Sequence, residues 1–207
     1  MDFLYEGPSD GHTLMLAHSA GSAMDSSWMN DFCALLGDRG IRTARFEFAY
    51  MAGRRSGVRR PTPRAESVVE EYVEAVASVD RGDGTLFIGG KSYGGRVASL
   101  VADRLWAESA IGGLVCLGYP FHPPEKPEQL RTAHLLELAC PTLVCQGTRD
   151  PFGTREDASG YPLSPAISIH WLDDGDHDLR PRKAISGRTY RQNLDEAADA
   201  VASFVTA

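Results

Sequence analysis

No run of apolar residues in this chain approaches the length needed to cross a bilayer. The opening Met1-Asp2-Phe3-Leu4-Tyr5-Glu6 has neither the basic start nor the long apolar core of a secretory signal. A cytoplasmic protein with no membrane partner is the expectation. Cysteine is scarce: Cys33, Cys116, Cys140 and Cys145 are the four present, and their separations match no metal-ligand pattern. Three of them lie in or beside apolar runs, so buried reduced thiols are expected rather than disulfides or a zinc site. Positive charge is in deficit, with 21 Lys and Arg against 28 Asp and Glu and a net charge of −7. Because phosphate neutralisation supplies most nucleic-acid affinity, that balance argues against a nucleic-acid partner. Repeats, low-complexity tracts and linker-like stretches are also missing. The 207 residues therefore read as one domain, 1–207, around one sizeable core.

What the chain does have is alternation. Short apolar runs at Thr13–Ala17, Arg42–Phe48, Thr85–Ile88, Gly113–Leu117, Thr142–Gln146 and Ile167–Leu172 read as strands. Between and after them lie helical faces marked by Met29, Phe32, Leu35 and Leu36; by Val69, Tyr72, Val73 and Val76; by Val97, Leu100, Val101 and Leu105; and by Tyr190, Leu194, Ala197, Val201 and Phe204. Such alternation predicts an α/β fold, a three-layer α/β/α sandwich on a mostly parallel sheet of about six strands. Ligands of such sheets bind beyond the carboxyl ends of the strands. His170, inside the last apolar run, reads as a structural histidine.

Gly90-Lys91-Ser92-Tyr93-Gly94 stands between the third run and a helical pattern. Read as Gly-x-Ser-x-Gly between strand and helix, it is a nucleophile elbow, a turn too tight for side chains at its flanks that holds the serine hydroxyl out at the end of the sheet. The rival reading is a phosphate-binding loop ending in Gly-Lys-Ser. That motif needs glycine at position 85, which is Thr, and a bare loop where Leu86-Phe87-Ile88 reads as buried strand.

A serine hydroxyl is a weak nucleophile at neutral pH and needs a base, which in turn needs an orienting group. His177, in the polar turn Asp173-Asp174-Gly175-Asp176-His177-Asp178 after the last strand, is the candidate base; taken alone, a loop histidine is more often a surface residue. Asp150, in Thr148-Arg149-Asp150-Pro151 off the end of the fifth run, is the candidate acid. Asp173, Asp174, Asp176 and Asp178 compete with it, but they lie very close to His177 along the chain. The order Ser92, Asp150, His177 is that of a hydrolase triad on a parallel sheet. An oxyanion would be met by the backbone N–H of Tyr93 and by one from the loop His18-Ser19-Ala20-Gly21, with Ala20 preferred. His18 is expected to fix that loop and to lie near the substrate.

These stretches resemble the α/β-hydrolase superfamily. The likeness is carried by His18 to Met29 (HSAGSAMDSSWM), Gly89 to Ser99 (GGKSYGGRVAS), Gly147-Thr148-Arg149-Asp150 and Asp176-His177-Asp178-Leu179. Within it the chain looks like the compact branch near dienelactone hydrolases that includes the hydrolase-like subunit of the NSL chromatin acetyltransferase complex. The resemblance implies a reduced hydrolase sheet without a cap domain, since the stretch before Thr13 is short and Tyr119 to Cys140 holds at most one short helix, near Glu128–Leu138. The family usually has glycine where this chain has Ser19. Dienelactone hydrolases proper use a cysteine nucleophile, from which Ser92 departs.

Arg54, Arg55, Arg59, Arg60 and Arg64 crowd the stretch after the second run, with Arg149, Arg180, Arg182 and Lys183 near the candidate acid and base. They would suit an anionic substrate, Arg54, Arg55 and Arg59 above all; the plainer reading is solvated or internally paired charge. The expectation from sequence is a serine hydrolase acting on a small acyl substrate with no cofactor and no metal. A non-catalytic interaction module on the same fold is the alternative.

Overall fold

A computed structural model describes residues 1–207. In chain order the strands are β1 (Phe3–Glu6), β2 (Thr13–Ala17), β3 (Arg42–Phe46), β4 (Leu86–Lys91), β5 (Leu114–Leu117), β6 (Thr142–Gly147) and β7 (Ile167–Leu172). The helices are α1 (Ser27–Gly37), α2 (Ala49–Arg55), α3 (Val69–Ser78), α4 (Tyr93–Ala107), the single turns α5 (Arg155–Ala158) and α6 (Lys183–Ser186), and α7 (Tyr190–Val205). The sheet runs β1-β3-β2-β4-β5-β6-β7, parallel except for β1.

The period of two along each strand explains the layers. In β2, Leu14 and Leu16 point to the face covered by α1 and α7, while Met15 and Ala17 point to the face covered by α3 and α4. The same division separates Phe87 from Ile88, Val115 from Cys116 and Leu143 from Val144. Both faces are covered, so the strands are nearly continuous apolar runs. Each covering helix presents one apolar stripe: Met29, Phe32, Cys33, Leu35 and Leu36 in α1, and Leu194, Ala197, Ala198, Val201 and Val205 in α7. No helix is long and apolar enough to cross a membrane.

Three features refine the sequence expectation. The sheet has seven strands, because Phe3–Glu6 adds an antiparallel edge. Only half-buried, that short segment is held by long-range partners: Phe3 packs on Phe46, Arg42 lies 4.5 Å over the Tyr5 ring, and Glu6 pairs with Arg45 at 3.0 Å. Second, β3 stops at Phe46 and the chain turns into α2, which puts Arg54 and Arg55 in a helix's last turn, where its dipole favours cations. Third, the segment between β5 and β6, where at most one short helix is expected near Glu128–Leu138, holds a single 3-10 turn, Ala133–Leu135. All four cysteines are buried and free.

Register brings the functional ends together. Ala17 of β2 lies level with Gly90 of β4, Lys91 with Leu117 of β5, and Gly147 of β6 with Leu172 of β7. The residues that follow these strands all emerge on one edge of the sheet. Beneath that edge, the fully buried Tyr72 of α3 donates its hydroxyl to the Gly89 carbonyl at 2.8 Å and accepts the Gly89 amide at 3.0 Å. A buried peptide group stripped of such a partner costs about 1–3 kcal/mol. Tyr72→Phe is therefore expected to lower stability by about that amount in urea unfolding. An unchanged midpoint would remove this contact from the account of β4.

Candidate active site

Ser92 sits between β4 and α4 with φ 53° and ψ −113°, a backbone conformation that a side-chain-bearing residue adopts only under constraint. The constraint is close packing. A Cβ on Gly90 would lie 2.5 Å from the Gly94 carbonyl carbon and 2.7 Å from the Ala17 oxygen. One on Gly94 would collide with the Ala17 oxygen and lie 2.7 Å from that of His18. Neither glycine has positive φ; both are needed for close approach.

The serine hydroxyl lies 2.7 Å from His177 Nε2, and His177 Nδ1 lies 2.8 Å from Asp150 Oδ2. A carboxylate only accepts, so Nδ1–H donates to Asp150 and Nε2 is free to accept the Ser92 proton. Asp150 is 0% exposed. Its Oδ1 accepts the Phe152 amide at 2.9 Å and its Oδ2 also accepts Gln146 Nε2 at 2.9 Å. Phe152 covers the imidazole, with ring centroids 4.2 Å apart. Three of the four competing carboxylates are engaged elsewhere: Asp174 pairs with Arg182 and Arg149, Asp176 accepts the amides of Asp178 and Arg180, and Asp178 pairs with Lys91; Asp173 is exposed to solvent.

The amides of Tyr93 and Ala20 donate no hydrogen bond within the chain, and both residues line the same cleft as Ser92. The Ala20 carbonyl accepts from the Tyr50 hydroxyl at 3.1 Å and from Thr62 Oγ1 at 3.2 Å, which fixes the loop's peptide plane. His18 corrects an expectation. It is 0% exposed, with Nδ1 donating to the Ser19 carbonyl at 2.7 Å and Nε2 accepting the Phe48 amide at 3.2 Å, so it braces the loop and cannot reach a substrate.

The arginines are also redistributed. Arg55 is bound to Glu47 and to both oxygens of Asp25, Arg54 lies 5.7 Å over the Tyr50 ring, and Arg59 is exposed; none of the three lines the cleft. Arg149 and Arg182 are spent on Asp174, and Arg180 lies 4.6 Å over the Tyr190 ring. The cations that do line the cleft, of about 640 Å³, are Arg64, Arg96 and Arg131.

Two supporting residues escaped the sequence reading. Lys91 is 4% exposed; its Nζ donates to the His177 carbonyl at 2.6 Å, pairs with Asp178 at 3.3 Å and lies 5.4 Å over the Trp28 ring. Burial lowers its pKa, against the opposing pull of Asp178 and Asp150. Gln146 accepts the Tyr119 amide through Oε1 at 2.7 Å while Nε2 reaches Asp150, tying the end of β5 to the acid. The one hint in the sequence is a polar residue closing the apolar run Leu143-Val144-Cys145. No group of three or more His, Cys, Asp or Glu side chains converges to hold a metal ion.

A family model described as "Alpha/beta hydrolase domain" matches residues 10–206. The chain belongs to this family. Solved structures share its fold at low identity. Est1E from Butyrivibrio proteoclasticus, solved with ferulic acid bound, is 11% identical with a TM-score of 0.71, covering 100% of this chain and 96% of its own. A dienelactone hydrolase from Anabaena variabilis is 15% identical with a TM-score of 0.71, covering 99% and 91%. An α/β serine hydrolase without lid from Xanthomonas campestris is 16% identical with a TM-score of 0.65, covering 97% and 88%.

Burial holds the pKa of His18 below its usual 6.5. Protonation therefore favours the unfolded chain: the stabilisation is complete above about pH 6.5 and is lost as pH falls below it. The stability difference between wild type and His18→Asn should shrink on moving from about pH 7.5 to about pH 5.5 in paired urea titrations. A difference that stays constant would mean the imidazole is not held neutral.

Proposed function

We propose that the chain is a cytoplasmic serine hydrolase that cleaves an ester or related acyl bond of a small molecule, with no metal or organic cofactor. The observation that carries this reading is the continuous relay from Ser92 Oγ through His177 to the buried Asp150 carboxylate. In the proposed reaction Ser92 Oγ attacks the acyl carbon while its proton passes to His177 Nε2. Asp150 holds the ring in the Nδ1–H tautomer and stabilises the imidazolium. The unpaired Tyr93 and Ala20 amides receive the oxyanion, each contributing about 3–4 kcal/mol to the transition state. His177 then returns the proton to the leaving group, and water, activated by the same imidazole, releases the acyl-enzyme.

The likeness to the chromatin-complex subunit brings a second reading, an interaction module without catalysis, because fold alone does not define function. The strained serine backbone and the buried, fully bonded acid weigh against it, since binding another protein requires neither. A fluorophosphonate probe should form an adduct at Ser92, and Ser92→Ala should cut hydrolysis of an activated ester by about 10⁴-fold. An unlabelled, folded protein would favour the interaction module.

Lys91 acts in this mechanism as a positioning residue, since it touches the backbone of the base rather than the reacting atoms. Lys91→Met is expected to lower kcat by up to about 100-fold through misplacement of His177, with KM little changed. A rise in KM at constant kcat would contradict this role.

A further inference from the structure

The cleft beside Ser92 holds four charged residues, Arg64, Glu66, Arg96 and Arg131. Glu66 and Arg96 neutralise each other in an ion pair. The two remaining cations have no counterpart. Neither guanidinium makes an ion pair or a hydrogen bond within the chain, although the protein as a whole carries a net charge of −7.

Arg131 is the unusual one. Half-buried, it follows Leu130 in the segment between β5 and β6, where its backbone is fixed: its amide donates to the Phe121 carbonyl at 2.7 Å and its carbonyl accepts the Tyr119 hydroxyl at 3.1 Å. Most other arginines withdrawn from solvent face carboxylates (Arg42 meets Asp80, Arg45 meets Glu6, Arg149 meets Asp174 and Arg188 meets Glu196), and the half-buried Arg54 lies over the Tyr50 ring. Arg131 meets Arg96 instead. Burial first, and then the charge of Arg96, disfavour its protonated state and lower its pKa, against the weaker opposing pull of Tyr119 and Glu66. A guanidinium stays charged at any ordinary pH, so an anion entering the cleft would meet a cation with no partner of its own. A planar fork of donors suits the two oxygens of an oxyacid group.

We propose that the substrate carries an anionic oxyacid group, a carboxylate or a phosphate, which seats on Arg131 with Arg64 at the cleft wall while Ser92 meets the acyl carbon. This inference rests on the serine-hydrolase reading for its chemistry, but not for its binding. Arg96 shares the wall and is held by Glu66, so it shapes the site without being free to pair.

Mono-p-nitrophenyl adipate and p-nitrophenyl hexanoate differ chiefly in a terminal carboxylate. Wild type is expected to favour the adipate ester by about tenfold or more in kcat/KM, and Arg131→Gln should reduce that ratio by about 10- to 100-fold. Arg131→Lys should restore part of it, and Arg191→Gln, a remote change on α7, should leave it unaltered. Calorimetry with adipate and with inorganic phosphate, each against wild type and Arg131→Gln, then reads binding without turnover. Tighter binding of adipate assigns a carboxylate, and tighter binding of phosphate assigns a phosphate; in either case the binding must weaken in Arg131→Gln. Equal loss on both esters in Arg131→Gln, or binding of neither anion, would overturn the proposal even if Ser92-dependent hydrolysis is robust. Arg131-dependent anion binding in a protein that turns over neither ester would sink the hydrolase reading alone.

Discussion

At the carboxyl edge of the sheet, the turn joining β4 to α4 runs so close to the end of β2 that no side chain fits between them. Gly90 and Gly94 admit that approach, and the carbonyls of Ala17 and His18 define it. The cost falls on Ser92, whose backbone is held at φ 53°, a strain of about 1–3 kcal/mol. It is offset by α4, which begins at the next residue and buries Val97, Ala98, Val101 and Leu105 against the sheet. Tyr93 and Ala20 line the same cleft as the hydroxyl. Sheet packing and site geometry are therefore one constraint, and the packing could not be relaxed without moving the chemistry.

The rest of the site is held by side chains that act at a distance along the sequence. Gln146 joins Tyr119 to Asp150, Lys91 joins β4 to the loop of His177, and His18 joins its own loop to Phe48. Each is buried, and each satisfies backbone groups that irregular segments would otherwise leave unpaired. Loops usually carry function at the expense of rigidity; here buried polar bonds supply what regular structure does not.

Local pattern carried much of this into the sequence. β2 and β7 span the residues that their apolar runs mark, and the stripes of α1 and α7 follow helical spacing. Ser92, Asp150 and His177 were legible because each follows a strand, and the structure brings their side chains into one hydrogen-bonded line. What was illegible depends on partners remote in sequence. Lys91 drew no role of its own as an inner position of the elbow, because nothing near it reveals Trp28 or Asp178. That Arg55 is internally paired, the plainer of its two readings, could be named but not its partner Asp25, which lies 30 positions away. Arg131, in a stretch without periodicity, gave no sign of facing the cleft. β1 has too few residues to announce itself and exists because the edge of β3 is there to receive it.

The segment between β5 and β6 spends its aromatic residues on the interior. Tyr119 and Phe121 pack against each other and are fully buried, and the chain returns to β6 through one 3-10 turn. No α-helix lies between β5 and β6 from which a cap could be built. An enzyme arranged this way would have no gating step: entry and departure would be limited by diffusion and by affinity for the wall. Discrimination among substrates would then rest on a fixed surface, and a covalent intermediate would stay open to bulk water throughout its lifetime.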